Sequence, residues 1–123
     1  MKLTRDFNRS EFDCNDGSEM PKEVLLNIQK LANQLQALRD SLGVSITVNS
    51  AYRSPSYNKK IGGVSNSQHV LGKAADITAK GYTPAQVNAR IEQLINSGDM
   101  LQGGLGSYST FTHYDIRKTR ARW

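Results

Sequence analysis

The chain of 123 residues has a hydrophobic fraction of 37% and a net charge of +5, with a pI near 9.5 and a mean hydropathy of −0.55. This length suits one compact domain spanning residues 1–123, and no stretch approaches the roughly 18 consecutive apolar residues of a membrane span. The single cysteine, Cys14, excludes an intramolecular disulfide and the zinc sites that need paired cysteines.

The first strong pattern predicts a helix from Pro21 to about Leu42. Apolar residues recur there at steps of three and four, the spacing of a helix face that packs on a core. Pro21 suits the first turn because its fixed φ is preorganised for a helix. Gly43 suits a left-handed cap at the other end.

Two strands with a long loop between them follow. Apolar and polar residues alternate from Val44 to Ala51, which predicts a half-buried strand. Residues 52–71 are rich in glycine and serine and are predicted to form a loop, a kind of segment that is usually functional or mobile at this length. The short run of small residues from Ala74 to Ala79 predicts the second strand.

A second helix is predicted to begin after Thr83. Thr83, Pro84 and Gln86 have the spacing of a capping box with proline at the first helical position. Val87 and later apolar residues give the helix a buried stripe, and Gly98 ends it.

Three glycines precede the last predicted element. Gly103, Gly104 and Gly106 predict a tight, flexible turn into a final strand over about Thr110 to Arg117. The order of elements predicts an α+β fold, in which two helices pack on a small, mostly antiparallel sheet.

Both histidines of the chain lie near an aspartate. His69 precedes Asp76, and Gly72 between them lets the loop fold back toward the second strand. His113 and Asp115 share one face of the last strand because side chains alternate there. Two imidazoles and one carboxylate are a common ligand set for catalytic zinc. The spacing equally fits histidines at the surface or in the core, and the chain lacks an H-E-x-x-H helix.

Three motifs resemble those of a known family. Ser67-x-His69-x-x-Gly72-x-Ala74-x-Asp76 is similar to the S-x-H-x-x-G-x-A-x-D signature of peptidase family M15, the zinc D-alanyl-D-alanine carboxypeptidases. Its fold group includes the hedgehog metal-binding domain and the lysostaphin-type endopeptidases. The stretch SAYRSP at residues 50–55 resembles S-G-Y-R-S-P, and residues 104–117 resemble the closing block of a small phage and bacterial branch. The resemblance covers most of the chain.

The resemblance implies one zinc ion per chain, held on the sheet by His69, Asp76 and His113. Many family members carry an acid three residues before the last histidine as the general base, and Thr110 stands at that position here. Asp115 is the nearest acid. It serves as the base, which we favour, or else orients a zinc ligand or pairs with Arg117.

Other site residues are also implied by the resemblance. Arg53 is expected to face the site and bind a substrate carboxylate or the developing oxyanion, although a surface arginine is the simpler explanation of the residue alone. Ser67 is expected to hydrogen-bond near the metal. Tyr52, Tyr108 and Trp123 are candidates for lining the cleft, but each equally suits packing in the core or at the rim.

The function implied by the resemblance is zinc-dependent hydrolysis of peptide bonds in bacterial peptidoglycan, in D-Ala-containing stem peptides or cross-bridges. We expect a monomeric phage or prophage lytic enzyme, either carboxypeptidase or endopeptidase. The N-terminus lacks the apolar run of a signal peptide, so we expect a cytoplasmic product that reaches the wall after release or in a virion. A non-catalytic zinc- or wall-binding module is the alternative. The positive charge would suit nucleic acid, but no known reading motif accompanies it, and we expect no such partner.

Overall fold

The computed structural model describes residues 1–123. A short 3-10 helix at Arg9–Phe12 precedes the other elements, which are, in chain order, α1 (Lys22–Leu42), β1 (Ile46–Ser50), α2 (Pro55–Lys60), β2 (Ala74–Ala79), α3 (Pro84–Ser97), β3 (Gly104–Ser107), β4 (Thr112–Asp115) and β5 (Ala121–Arg122). The strands form one sheet in the order β1-β2-β4-β3-β5. Only the pairing of β3 with β5 is parallel. The predicted α+β class and mostly antiparallel sheet are confirmed.

Helix α1 supplies much of the core. Its apolar stripe includes Ile28, Leu31 and Leu35, whose side chains are fully buried, and each such burial contributes about 1.5–3 kcal/mol. Gly43 ends the helix with a φ of 71°, and its N–H donates to the carbonyl of Arg39, as predicted. None of the helices combines the length and the apolar character that crossing a bilayer requires.

The predicted start of α3 is also confirmed. The hydroxyl of Thr83 accepts from the N–H of Gln86 at 3.2 Å, and the side-chain oxygen of Gln86 accepts from the N–H of Thr83 at 2.8 Å. Val87 and Ile91 then bury the inner face of the helix. This capping box satisfies two N–H groups that would otherwise have no partner in the first turn.

The predicted loop over residues 52–71 contains one element that the prediction missed. Helix α2 begins after Ser54, whose hydroxyl accepts from the N–H of Tyr57 at 3.1 Å, and Pro55 is its first residue. This is the cap-and-proline pattern by which α3 was recognised, and six residues are too few to show an apolar period.

The prediction of a flexible turn at Gly103, Gly104 and Gly106 is wrong. Gly104 and Gly106 lie in β3, paired with Asp115 and His113 of β4. Neither glycine has a positive φ; the missing side chain is what the fold needs. A Cβ on Gly104 would contact the carboxylate of Asp115, and a Cβ on Gly106 would lie 2.6 Å from the indole of Trp123.

Candidate metal centre

Two of the predicted zinc ligands lie opposite each other on neighbouring strands inside the sheet. Asp76 of β2 is the cross-strand partner of His113 in β4, and Nδ1 of His113 is 3.0 Å from Oδ1 of Asp76. Cross-strand partners place their side chains on one face of the sheet. The alignment of β2 with β4 therefore fixes this half of the site.

His69 reaches the same point from the loop before β2. Gly72 turns the chain with a φ of 73°, and its N–H donates to the carbonyl of His69 at 3.2 Å. This turn brings Nε2 of His69 to 3.4 Å from Oδ1 of Asp76. The ligand atoms of His69, Asp76 and His113 all lie within 4.8 Å of one another.

The hydrogen bonds of the two rings determine which nitrogen is free. Nδ1 of His69 is 2.7 Å from the carbonyl oxygen of Ala51, and Nε2 of His113 is 2.8 Å from a carboxylate oxygen of Asp115. Both oxygens are acceptors, so each of these nitrogens carries the proton. The opposite nitrogens, which face Asp76, therefore present lone pairs when the rings are neutral.

Three acceptor atoms thus converge on one point without a donor between them. Such an arrangement is repulsive unless a proton or a cation lies there. Ligand atoms around tetrahedral zinc, each about 2.0–2.2 Å from the metal, are separated by about 3.3–3.6 Å. The observed separations from Oδ1 of Asp76, 3.0 and 3.4 Å, are close to that range. The donor set fits a zinc ion.

The charges around the cluster also favour a cation. Burial alone would raise the pKa of Asp76, but its contacts with His113 and His69 outweigh it and hold that pKa well below its usual range. Burial would likewise lower the pKa of His113, and its contacts with Asp115 and Asp76 raise it on balance. The ionised carboxylates therefore draw positive charge to the ligand atoms.

Asp115 has no oxygen lone pair to spare for water. One carboxylate oxygen accepts from the N–H of Gly104 and from the N–H and Nε of Arg117, and the other accepts from Nη2 of Arg117 and Nε2 of His113, all at 2.8–3.1 Å. Its side chain is completely buried. This geometry favours the alternative role, in which Asp115 orients His113 and pairs with Arg117, over the role of general base.

Arg53 faces the site. Its Nη2 is 3.6 Å from the outer carboxylate oxygen of Asp76, while Nε and Nη1 approach Ser50 and Asn58 only to 3.4 Å. All these contacts are long for an arginine, whose charge-assisted hydrogen bonds are about 2.7–2.9 Å. The guanidinium is therefore held in place but has donors available for an incoming anion.

A cavity of about 480 Å³ opens over the three ligands. Its lining includes Arg53, Ser67 and Tyr108, and the hydroxyl of Ser67 accepts from the N–H of His69 at 3.2 Å. Tyr52 does not line the cavity: it is 4% exposed and belongs to the core. Of the two roles considered for Tyr52, packing in the core is therefore the one found, and the role of cleft lining is corrected for this residue.

Sequence reasoning missed several residues of the site. The cavity wall also includes Val64, Gln68 and Phe111, for which the sequence offered only the flanking motif residues as a signal. The carbonyl of Ala51 fixes the orientation of the His69 ring. Nothing in the sequence indicated this contact, because a residue of any type has a backbone carbonyl. Thr110 is exposed and does not line the cavity.

Comparison with known proteins agrees with this geometry. The sequence profile of a family described as Peptidase M15 matches residues 2–115. The chain is 37% identical to the zinc D-Ala-D-Ala carboxypeptidase of Streptomyces albus G over an alignment of 113 residues, which covers 88% of the chain. That match covers 42% of the relative, so the chain spans less than half the length of this protein.

Proposed function

The chain belongs to the peptidase M15 family, and from that membership we propose that it is a zinc metallopeptidase that hydrolyses peptide bonds in bacterial peptidoglycan. One observation carries the proposal: the free nitrogens of His69 and His113 both face Oδ1 of Asp76, at 3.4 and 3.0 Å, with no donor between them. A buried set of three acceptors at one end of an open cavity suits a catalytic metal.

Zinc bound at these ligands would polarise the scissile carbonyl and lower the pKa of the attacking water. The chain's own residues do the positioning. The carbonyl of Ala51 and the carboxylate of Asp115 hold the two imidazoles in one tautomer. Arg53 offers its guanidinium to the substrate beside the outer oxygen of Asp76.

The available donors of Arg53 support a substrate that ends in a carboxylate. A C-terminal D-Ala bound there would place its peptide bond toward the three ligands, and the planar guanidinium suits bidentate contact with a carboxylate. We therefore favour carboxypeptidase cleavage over endopeptidase cleavage. The carboxypeptidase name of the Streptomyces relative supports the same choice.

Digestion of purified peptidoglycan tests the proposal. Mass spectrometry of the muropeptides should show loss of a terminal D-Ala with the zinc-loaded protein, no loss with a chelator present, and recovery on adding zinc. Full zinc content in a His113→Ala protein would contradict the ligand assignment. New internal ends without loss of D-Ala would indicate an endopeptidase instead.

A non-catalytic zinc- or wall-binding module is the second candidate, and one observation favours it. Asp76 is the only acidic side chain that lines the cavity. Thr110 stands where the usual acid would be, and the oxygens of Asp115 are fully engaged. Zinc-loaded protein that pulls down purified peptidoglycan without releasing any fragment would establish this candidate over the first.

The phage or prophage lytic role belongs to endopeptidase cleavage, because removal of a terminal D-Ala leaves the cross-links of the wall intact, and we propose it, with the cytoplasmic origin, as the second form of the function. Their support is the resemblance to a small phage and bacterial branch and a net charge of +5, which favours approach to an anionic wall. A drop in turbidity of permeabilised bacteria on adding the protein from outside tests the lytic role. Fractionation of the producing cells tests the location.

A further inference from the structure

The last residue of the chain, Trp123, lies against His113, one of the three predicted zinc ligands. Its ring centroid is 5.0 Å from that of His113, with the planes tilted by 47°. The guanidinium carbon of Arg117 lies 5.2 Å from the centre of the indole. Trp123 nevertheless remains 47% exposed, and it lines the same cavity as the ligands. It lies beyond residues 2–115, the range that the family profile matches.

The surroundings of Trp123 hold the indole in one place. Its N–H donates to the carbonyl of Leu105 and its carbonyl accepts from the N–H of Ser107, which continues the pairing of β5 with β3. The indole Nε1 donates to the hydroxyl of Tyr108 at 2.8 Å. Gly106 leaves the space that the ring fills, because a Cβ there would lie 2.6 Å from it.

A second aromatic pair extends this surface. The ring of Tyr108 stacks on that of Phe111, with centroids 4.4 Å apart and planes 10° from parallel. Both rings also line the cavity. Trp123, Tyr108 and Phe111 together form what we call the aromatic wall. Rigid rings with exposed faces provide contact area at low conformational cost.

The order of strands gives the aromatic wall a defined position relative to Arg53. Arg53 follows β1 at one edge of the sheet, and Trp123 follows β5 at the opposite edge. The ligand-bearing strands β2 and β4 lie between them. A peptide whose terminal carboxylate meets Arg53 and whose scissile bond lies at the ligands must extend its remaining part toward the opposite edge.

From this arrangement we propose that Trp123 is a specificity-determining residue that contacts the acyl side of the substrate, the part N-terminal to the scissile bond. The inference rests on the proposed function and deepens it. The substrate class it names is a peptide with an extended, partly aliphatic acyl portion, such as a lysine-containing stem peptide. A D-Ala-D-Ala dipeptide lacks this acyl portion, so the aromatic wall would add nothing to its affinity.

Two pairs of peptides test the proposal with Trp123→Ala and Trp123→Phe. In the first pair, diacetyl-L-Lys-D-Ala-D-Ala is compared with acetyl-D-Ala-D-Ala, which differ only on the acyl side. Trp123→Ala should raise KM about 3- to 10-fold for the longer peptide, the worth of one aromatic contact, and hardly change it for the shorter one. Trp123→Phe should restore most of the loss. The second pair differs only in the leaving group, which is D-Ala in one peptide and Gly in the other. Each variant should prefer one of these peptides over the other by the same factor as the parent protein does.

Binding is measured separately from turnover. Trp123 is the only tryptophan of the chain, so its emission reports on the wall alone, and titration with the product diacetyl-L-Lys-D-Ala should change it saturably. Arg120→Ala, an exposed change in the same segment, is the matched control and should behave like the parent. Zinc content is checked in every variant, because Trp123 also contacts His113.

The outcomes separate this inference from the proposed function. If the parent protein cleaves no peptide but its emission changes on binding the acyl product, the proposed peptidase activity is refuted and the proposed contact with the aromatic wall is retained. If Trp123→Ala with full zinc content raises KM equally for the peptides with long and short acyl groups, the indole only supports His113, and the inference is overturned. An unchanged emission with an active parent would overturn it as well.

Discussion

Replacing Asp115 with asparagine distinguishes a residue that orients a ligand from a general base. The carboxylate is completely buried and accepts five hydrogen bonds, three on one oxygen and two on the other. The amide of Asp115→Asn must point its NH₂ group at one of these sets of donors. At least two hydrogen bonds are then lost, and the partly buried guanidinium of Arg117 loses its ionic partner.

The magnitude follows from these contacts. Leaving one member of a buried ion pair uncompensated costs about 3–5 kcal/mol, and the lower end applies here because the side chain of Arg117 is 31% exposed. If the NH₂ faces His113, Nε2 must become an acceptor and the ring proton moves to Nδ1, the metal-facing nitrogen. Zinc affinity should then fall by about 10- to 100-fold, the usual cost of losing a partner of a ligand.

Competition with a chromophoric chelator measures the zinc affinity, and urea denaturation measures the free energy of unfolding. Asp13→Asn, at an exposed aspartate, is the matched control and should change neither. Activity of Asp115→Asn should return when zinc is added in excess. Normal zinc affinity with activity reduced about 100-fold or more would refute this reasoning and make Asp115 the base.

Three further predictions concern the elements around the site. Arg53→Ala should keep its zinc and its fold but lose about 10- to 1000-fold in turnover, with only partial rescue by lysine, which lacks the planar fork; unchanged turnover would return Arg53 to the status of a surface arginine. Gly104→Ala should lower the free energy of unfolding by about 1–3 kcal/mol and weaken zinc binding in the chelator assay, because the Cβ would contact the buried carboxylate of Asp115. Glu92→Gln should cost less than about 1 kcal/mol at neutral pH, since Glu92 is 38% exposed in its ion pair with Arg122. Arg122 lowers the pKa of Glu92. The stabilisation by this ion pair is therefore present above the ordinary carboxyl pKa and is lost as pH falls through the lowered pKa of Glu92. A difference in urea stability between the parent and Glu92→Gln that persists at acid pH or in high salt would contradict this account.

The sequence determined the elements that local patterns specify. The apolar period of α1, the left-handed glycine at Gly43 and the capping box at Thr83 depend on residues within a few positions of one another, and all three are found as predicted. Side-chain alternation likewise placed His113 and Asp115 on one face, and they lie 2.8 Å apart. The family motifs named the cluster of His69, Asp76 and His113 that the structure brings together.

Only the tertiary structure decided the roles that depend on distant partners. Gly104 and Gly106 had the local signature of a turn, yet they lie in a strand. Their missing side chains leave the space that the carboxylate of Asp115 and the indole of Trp123 occupy. Asp115 had the residue type of a base, but Gly104 and Arg117 take up its oxygens. Close approach and hydrogen-bond satisfaction are set by which strands become neighbours, and residue type and spacing along the chain do not contain that information.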